Sequence, residues 1–509
     1  MEERRNPRRW LILIVLCLST LVLVVDNMVL TVSVPPIAED LGADAQDIQW
    51  IIESYILVFA GLLLTAGSLS DRFGRRRVMI VGLALFGAAS LLATVAQNPE
   101  QLIAGRVLMG IGGALIMPST LSILITVFDD EERRKAIGAW SAVAVVGLVG
   151  GPVLGGVLIA HFWWGAVFLM NVPIAGLAIV AALVLMPESK GPARKADPLG
   201  MVLSVVGMTA LVWTIIESAE SGLGDPSTQL SLAVAVLALA AFAYWEIRTD
   251  APMVPLSLFR NRVFSGASFS LVLLTFANGG LMLVLTQYLQ FVLGYSPART
   301  GLAFAPMAVA TLVFNGIGAT LGNKIGNRPM TAAGLAVIAA GFGALASLPS
   351  DAGFTMLAAA MVLIGIGGGL AMPAATAALM SAVPAEHAGV GSALNDTVQQ
   401  AGAALGVAVL GTVLSRTYTD AMSDSAPAEA GHSVSDALAL AAATHDGTLA
   451  TTAREAFTQA MSASFWAGAA GVLAAAALAV VLIRDTKSPA PKARQDDLTR
   501  TGTDLTTAA

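Results

Sequence analysis

At 509 residues the chain is long enough for two or three soluble domains, yet 56% of it is hydrophobic and 12% is charged, with a mean hydropathy of +0.76. A soluble domain carries about twice that charge, so a soluble enzyme or binding module is excluded. The net charge of −6 gives no reason to expect nucleic acid as a partner.

Apolar runs recur along the chain, each able to cross a hydrocarbon core of ~30 Å as a helix. A helix satisfies its backbone within one segment, which lipid demands. Fourteen spans are expected, at about 10–34, 48–69, 78–96, 101–127, 136–160, 166–186, 199–219, 229–247, 265–291, 301–321, 329–348, 354–378, 389–414 and 462–483. The first is too long for a secretory signal and has no small-x-small cleavage site in context, so it is read as a retained span. If the N-terminus is cytoplasmic and the loops alternate, 24 of the 28 Lys and Arg fall inside, the others being Arg106, Arg299, Arg416 and Arg454. By the positive-inside rule both termini are then cytoplasmic and the number of spans is even. Residues 415–461 form an outer loop with room for a short surface helix, and 485–509 form a polar, disordered cytoplasmic tail.

Three echoes reveal an internal repeat. Leu69-Ser-Asp-Arg-Phe-Gly-Arg-Arg-Arg77 returns as Leu321-Gly-Asn-Lys-Ile-Gly-Asn-Arg328, at an offset of 252. Gly110-Ile-Gly-Gly-Ala-Leu-Ile-Met-Pro118 returns as Gly365-Ile-Gly-Gly-Gly-Leu-Ala-Met-Pro373, at 255, and Gly151 to Gly156 loosely matches Gly402 to Val407, at 251. The offset equals eight spans. The chain therefore reads as an all-α membrane protein: two six-helix, pseudo-twofold bundles (1–190 and 251–484), with two inserted helices and a linker between them (191–250). The glycine runs lie inside apolar spans with no preceding strand, so they suit close helix packing rather than a dinucleotide loop. No GxxxxGK[ST] loop is present for an ATP-driven pump. Cys17 is the only cysteine, and the four histidines are scattered in expected loops or at their edges. No disulfide, metal site or cofactor is expected, nor an enzyme's nucleophile motif.

Ionisable groups inside spans are costly and mark function. The candidates are Asp26, Glu53, Arg106, Glu217 and Asp396. By the helical rise, Asp26 lies about 12 Å, and Glu53 and Arg106 about 8 Å, below the outer surface, while Asp396 lies about 12 Å from the cytoplasm. The first three share a layer and are expected to form a carboxylate–guanidinium cluster that handles protons or cations; Glu217 is expected at the interface. In the second half Met361 stands where Arg106 stands in the first, and Asn323 where Asp71 stands. Proton coupling is therefore expected in the first bundle and apolar walls in the second.

Gly67-x-Leu-Ser-Asp71-Arg72-Phe-Gly74-Arg75-Arg76-Arg77 resembles the loop between helices 2 and 3 that marks the major facilitator superfamily. Arg106 with Gly110 and Gly112 resembles the helix-4 motif of its proton-coupled members. Gly147-x-x-Gly150-Gly151-Pro152-x-x-Gly155-Gly156 is similar to the helix-5 motif of its antiporters. Asp26 to Pro35, the stretch "FLMNVP" (168–173) and residues 389–412 resemble the 14-helix drug:proton antiporter branch. Departures at Thr31, Ser33, Met109 and Gly165 touch no charged position. The resemblance implies an exporter of the cytoplasmic membrane that exchanges protons for hydrophobic or cationic drugs, an antibiotic such as puromycin among them. The expected partners are the drug, protons and the lipid bilayer, with the chain a monomer. A uniporter or symporter for another small solute is the alternative. The resemblance further implies that the central cavity is lined by helices 1 and 4, with the Asp26–Arg106 cluster facing its outer part, and that Asp71 latches the two halves on the cytoplasmic side. Arg75 to Arg77 would hold topology, Gly74 a tight turn, and the helix-5 glycines a kinkable face packed on the opposite half.

Overall fold

The computed structural model describes residues 7–43, 45–191, 197–220, 225–250, 252–348, 353–422, 431 and 433–482. The tail 485–509 lies outside them. Among the described residues the chain is all helix. The first part holds α1 (Arg9–Leu41), α2 (Ala45–Phe73), α3 (Arg75–Thr94), α4 (Pro99–Val127), α5 (Asp130–His161), α6 (Ala166–Leu169) and α7 (Asn171–Leu185). The insert is α8 (Pro198–Glu220) and α9 (Pro226–Arg248). Then follow α10 (Arg262–Gln287), α11 (Pro297–Ala303), α12 (Ala305–Ile325), α13 (Asn327–Ala346), α14 (Phe354–Ser381), α15 (Ala388–Met422), α16 (Val434–Thr444) and α17 (Gly447–Leu482).

Thirteen helical stretches among the described residues are long and apolar enough to span. With α5, whose 32 residues reach ~48 Å, the set is consistent with the fourteen expected. Two expected spans are broken. The sixth becomes α6 and α7, and the tenth becomes α11 and α12, split at Phe304. The ninth leaves α geometry for a π turn over Tyr288–Val292. The last two overshoot: α15 and α17 run past the expected limits at their α16 ends. The 36 residues of α17 reach ~54 Å, well beyond a ~30 Å core.

Local chemistry sets the helix starts. Asn98, Asp129, Asp225, Asn261, Ser296 and Ser433 each accept a backbone N–H of the following helix. The tight turns into α3 and α13 rest on Gly74 (φ 112°) and Gly326 (φ 102°), which stand 252 residues apart.

The repeat is visible in the packing. In the first bundle α3 and α2 pack on α4, α1 on α5 and α3 on α7; in the second α13 and α12 pack on α14, α10 on α15 and α13 on α17. The bundles meet where α5 packs on α12 and α2 on α15, contacts that the same eight-span shift exchanges. Bare backbones touch at equivalent points. A Cβ on Gly112 would lie 2.8 Å from the Phe86 nitrogen and 2.9 Å from the Gly82 oxygen. One on Gly367 would lie 2.8 Å from the Ile338 nitrogen, and one on Gly334 would lie 2.6 Å from the Gly367 oxygen. Pro118 of α4 and Pro373 of α14 also match. The hairpin α8–α9 leans on both bundles, since α8 packs against α2 and α15.

One end of the molecule gathers the basic loops. Arg9 at the start of α1 pairs with Glu132 of α5, and Arg134 donates to the Gly322 carbonyl of α12 at 2.8 Å. The α2–α3 turn meets the segment after α7, with Arg75 N donating to Ser189 O at 3.0 Å and Gly191 N to Asp71 O at 2.8 Å. This is the basic end of the molecule.

Because backbone atoms flank these glycines, neither helix can yield to a side chain. Gly112→Val and Gly367→Val should each cost about 3 kcal/mol or more. Each should remove most of the monodisperse peak in size-exclusion chromatography of detergent-solubilised protein, whereas Gly353→Ala, in open space, should leave it intact.

Candidate functional site: a buried ion pair and a latch between bundles

Arg106 of α4 is 0% exposed and Asp26 of α1 is 2% exposed. A buried guanidinium needs an anion and further acceptors, and three other helices meet the needs of the pair. Arg106 Nη1 donates to Asp26 Oδ2 at 2.6 Å, and Arg106 Nε donates to the Ile51 carbonyl of α2 at 3.1 Å. The guanidinium lies 4.4 Å from the centre of the Tyr55 ring, a cation–π contact. From α7, Asn171 Nδ2 donates to Asp26 Oδ1 at 2.7 Å and to Ser90 Oγ of α3 at 3.3 Å. Arg106 Nη2 and Asn171 Oδ1 remain buried without a partner, so the cluster retains unused hydrogen-bonding capacity.

A second carboxylate sits at the basic end. Asp71, in the last turn of α2, accepts from the backbone N–H groups of Gly389 (2.9 Å) and Val390 (3.0 Å) in the first turn of α15. The positive end of a helix favours an anion there. Arg75 Nε and Nη2 donate to the same carboxylate at 3.0 and 2.7 Å, and Nη2 also donates to the Ala385 carbonyl of the second bundle at 2.7 Å. Gly67 lets α15 approach, since a Cβ there would lie 2.6 Å from the Gly389 carbonyl. Beyond this contact α15 is buried on every side from Ala388 to Thr397.

The Major Facilitator Superfamily model matches residues 16–407. The chain belongs to the major facilitator superfamily. It is 34% identical over 492 residues to the multidrug efflux pump LfrA of Mycolicibacterium smegmatis, covering 94% of this chain and 97% of that protein. It is 38% identical over 415 residues to the puromycin resistance protein pur8 of Streptomyces alboniger, covering 80% and 82%. Among solved structures, the human organic anion transporter MFSD10 superposes with a TM-score of 0.62 at 15% identity, covering 94% of this chain and all of that one. That likeness concerns the fold alone.

In this major facilitator protein the expected cluster is only partly assembled. Asp26 and Arg106 meet, but they are sealed inside the first bundle rather than facing a cavity. Glu53 does not join them and accepts from Gln49 Nε2 at 3.3 Å. Residues 51 and 55 lie on one face of α2 and face Arg106, while residue 53 turns away, as i+2 neighbours do. Glu217 accepts from Ser227 Oγ at 3.0 Å at the tip of the α8–α9 hairpin. Asp396, 5% exposed in α15, accepts from its neighbour Asn395 at 3.0 Å, toward the basic end of the molecule.

Of the motif's basic residues, Arg75 is 1% exposed and joins Asp71 in the contact between the bundles. The exposed Arg72 stacks over Phe73, while Arg76 donates to Glu188 Oε1 and the Met186 carbonyl, beside the Gly74 turn. Although α5 packs on α12, two of the helix-5 glycines face their own bundle: Gly147 lies against Val24 and Gly151 against Met28, both of α1. Gly150 and Gly156 have open space where a Cβ would stand, Gly155 is buried, and the side chain of Pro152 lies outside the described residues. The roles of Asn171, Tyr55 and Ser90 were not foreseen. An amide within the apolar sixth span was the available signal.

The latch can be tested without assuming an orientation in the membrane. With Cys17→Ser, a cysteine placed by Ser392→Cys lies in the buried run of α15. Asp71→Asn should raise its rate of maleimide labelling in purified protein at least tenfold. An unchanged rate would show that Asp71 does not hold this end shut.

Proposed function

We propose that this chain is a drug:proton antiporter of the cytoplasmic membrane, with both termini in the cytoplasm, exporting hydrophobic and cationic compounds by alternating access. The observation that carries the reading is the sealed Asp26–Arg106 pair. An ion pair inside a bundle is a poor source of stability, because well-packed apolar residues serve as well. Its retention in the first bundle, where the second has the buried Met361, suits a group that must gain and lose a charge. Protonation of Asp26 ends its attraction for Arg106 and leaves the guanidinium to Ile51 and Tyr55. A cationic drug competes for the same carboxylate. One charge crossing 100 mV releases ~2.3 kcal/mol, enough for roughly a 50-fold gradient of a neutral compound.

The basic end is then the cytoplasmic gate, held shut by Asp71 and Arg75 between α2 and α15. The printed names of the relatives, a multidrug efflux pump and a puromycin resistance protein, support export over the uniporter or symporter reading, and puromycin is a first substrate to try.

In inside-out vesicles, drug addition should discharge a preformed proton gradient. Asp26→Asn and Arg106→Ala should reduce that discharge and the resistance of cells at least tenfold per unit of protein in the membrane, whereas Glu53→Gln should keep more than half. Full resistance in Asp26→Asn cells would remove Asp26 from the coupling, and drug export indifferent to collapse of the gradient would end the antiport reading.

A further inference from the structure

Both oxygens of Asp26 accept from N–H donors: Oδ2 from Arg106 Nη1 at 2.6 Å and Oδ1 from Asn171 Nδ2 at 2.7 Å. That arrangement suits the ionised carboxylate alone. A carboxylic acid carries a proton on one oxygen, and in a sealed site that O–H needs an acceptor. Among the described residues Arg106 is the charged group that faces Asp26, and it cannot accept, because a guanidinium has donors only. Tyr55 of α2 presents its ring to Arg106, and α5 meets this part of α1 at Val24 and Met28.

The amide from α7 is differently equipped. Asn171 stands at the first position of α7, just past the break at Met170, and is 0% exposed. Its Nδ2 donates to Asp26 and also, at 3.3 Å, to Ser90 Oγ of α3, while its Oδ1 is buried without a partner. An amide carries a donor and an acceptor of nearly equal size on one plane. A half-turn about the Cβ–Cγ bond puts Oδ1 where Nδ2 stands and needs no repacking. Ser90, also 0% exposed, bears a hydroxyl that accepts from the NH2 in one arrangement and donates to the oxygen in the other. The far end of the amide has no partner before the turn or after it, so the exchange sacrifices no hydrogen bond there.

We infer that Asn171 is the positioning residue that lets Asp26 exist in both protonation states inside a sealed site. With Asp26 ionised, the amide NH2 donates to Oδ1. When Oδ1 takes a proton, the amide turns over, and its oxygen accepts from the Asp26 O–H and the Ser90 O–H together. The amide keeps both of its own protons. Oδ2, now a neutral carbonyl oxygen, loses the charge that held Arg106. Release of the proton reverses each step. The inference rests on the reading of Asp26 as the proton carrier.

Infrared difference spectra of the full chain in lipid vesicles, acid minus neutral, test it, with the protein prepared unlabelled and with isotope-labelled asparagine. Wild type should gain a carboxylic acid band that Asp26→Asn lacks. With that band, an asparagine carbonyl band should move to lower frequency, because its oxygen passes from no partner to two. Asn171→Leu should lose this movement and raise the frequency of the acid band. Drug-driven proton discharge should fall at least tenfold per unit of protein in Asn171→Leu. Asn171→Ser, whose hydroxyl both donates and accepts, should restore part of it. An acid band at the wild-type frequency in Asn171→Leu overturns the switch. So does a wild-type acid band with no change in any asparagine carbonyl, a result that needs no variant to fold. Either result leaves Asp26 as the proton carrier. A wild-type spectrum without the acid band would show that Asp26 takes no proton, and the proposed coupling would fall together with the switch.

Discussion

The burial of Arg106 governs the first bundle. A guanidinium cannot lose its proton to escape desolvation, so the surrounding helices must bring acceptors to it. Those acceptors come from different places: a carboxylate from α1, a main-chain oxygen and an aromatic face from α2. An amide from α7, itself braced on α3, steadies the carboxylate. Five helices are thereby fixed in height and rotation around one side chain. Removing one partner of such a pair leaves an uncompensated charge, at a cost of about 3–5 kcal/mol. The second bundle escapes the constraint, since a buried methionine at the equivalent position asks for nothing but contact.

The two bundles nevertheless keep one geometry because their contacts are made by what they share. Where α3 meets α4 and α13 meets α14, the touching surfaces are glycine and main chain. Without a hydrophobic drive between helices in lipid, such close approach supplies the packing. Backbone contact does not depend on side-chain identity, so the halves could diverge in charge without diverging in fold. This is why the repeat is legible as glycines and prolines at a fixed offset while the charged positions differ.

The same reasoning explains what the sequence left hidden. Length and hydropathy mark spans, and the Lys and Arg pattern orders them, because both respond to the bilayer as a slab. Neither reports how a helix is rotated about its axis, which its neighbours decide. Glu53 thus counted as a partner for Arg106 by depth, but α2 turns Ile51 and Tyr55 inward instead. Two glycines of α5, Gly147 and Gly151, lie on α1, a rotation that hydropathy does not report. Arg75 stands beside Arg76 and Arg77 in the sequence, yet its guanidinium alone turns inward, to Asp71 and the Ala385 carbonyl. The breaks at Met170 and Phe304 fall within apolar stretches, where hydropathy runs through them, although a proline follows each within three residues, Pro173 and Pro306.

Two carboxylates of the first bundle differ in what they sense. The partners of Asp26 all belong to its own bundle, so its hydrogen bonds report the internal arrangement of α1, α4 and α7. Asp71 takes its N–H donors from α15, so its bonds exist only when the bundles are closed at the basic end. Helix α2 touches both sites: Tyr55 lies under Arg106 at one height and Asp71 stands sixteen residues on, ~24 Å along the axis. A backbone contact also fixes α2 to α4 beside Tyr55, where a Cβ on Gly110 would lie 2.8 Å from the Tyr55 carbonyl. Any change at Arg106 that displaces Tyr55 must move α2 as a rod or bend it. Moving it as a rod carries Asp71 relative to the first turn of α15. Because two hydrogen bonds at about 3 Å tolerate little sliding, a small shift of the rod is enough to decide whether the latch is made.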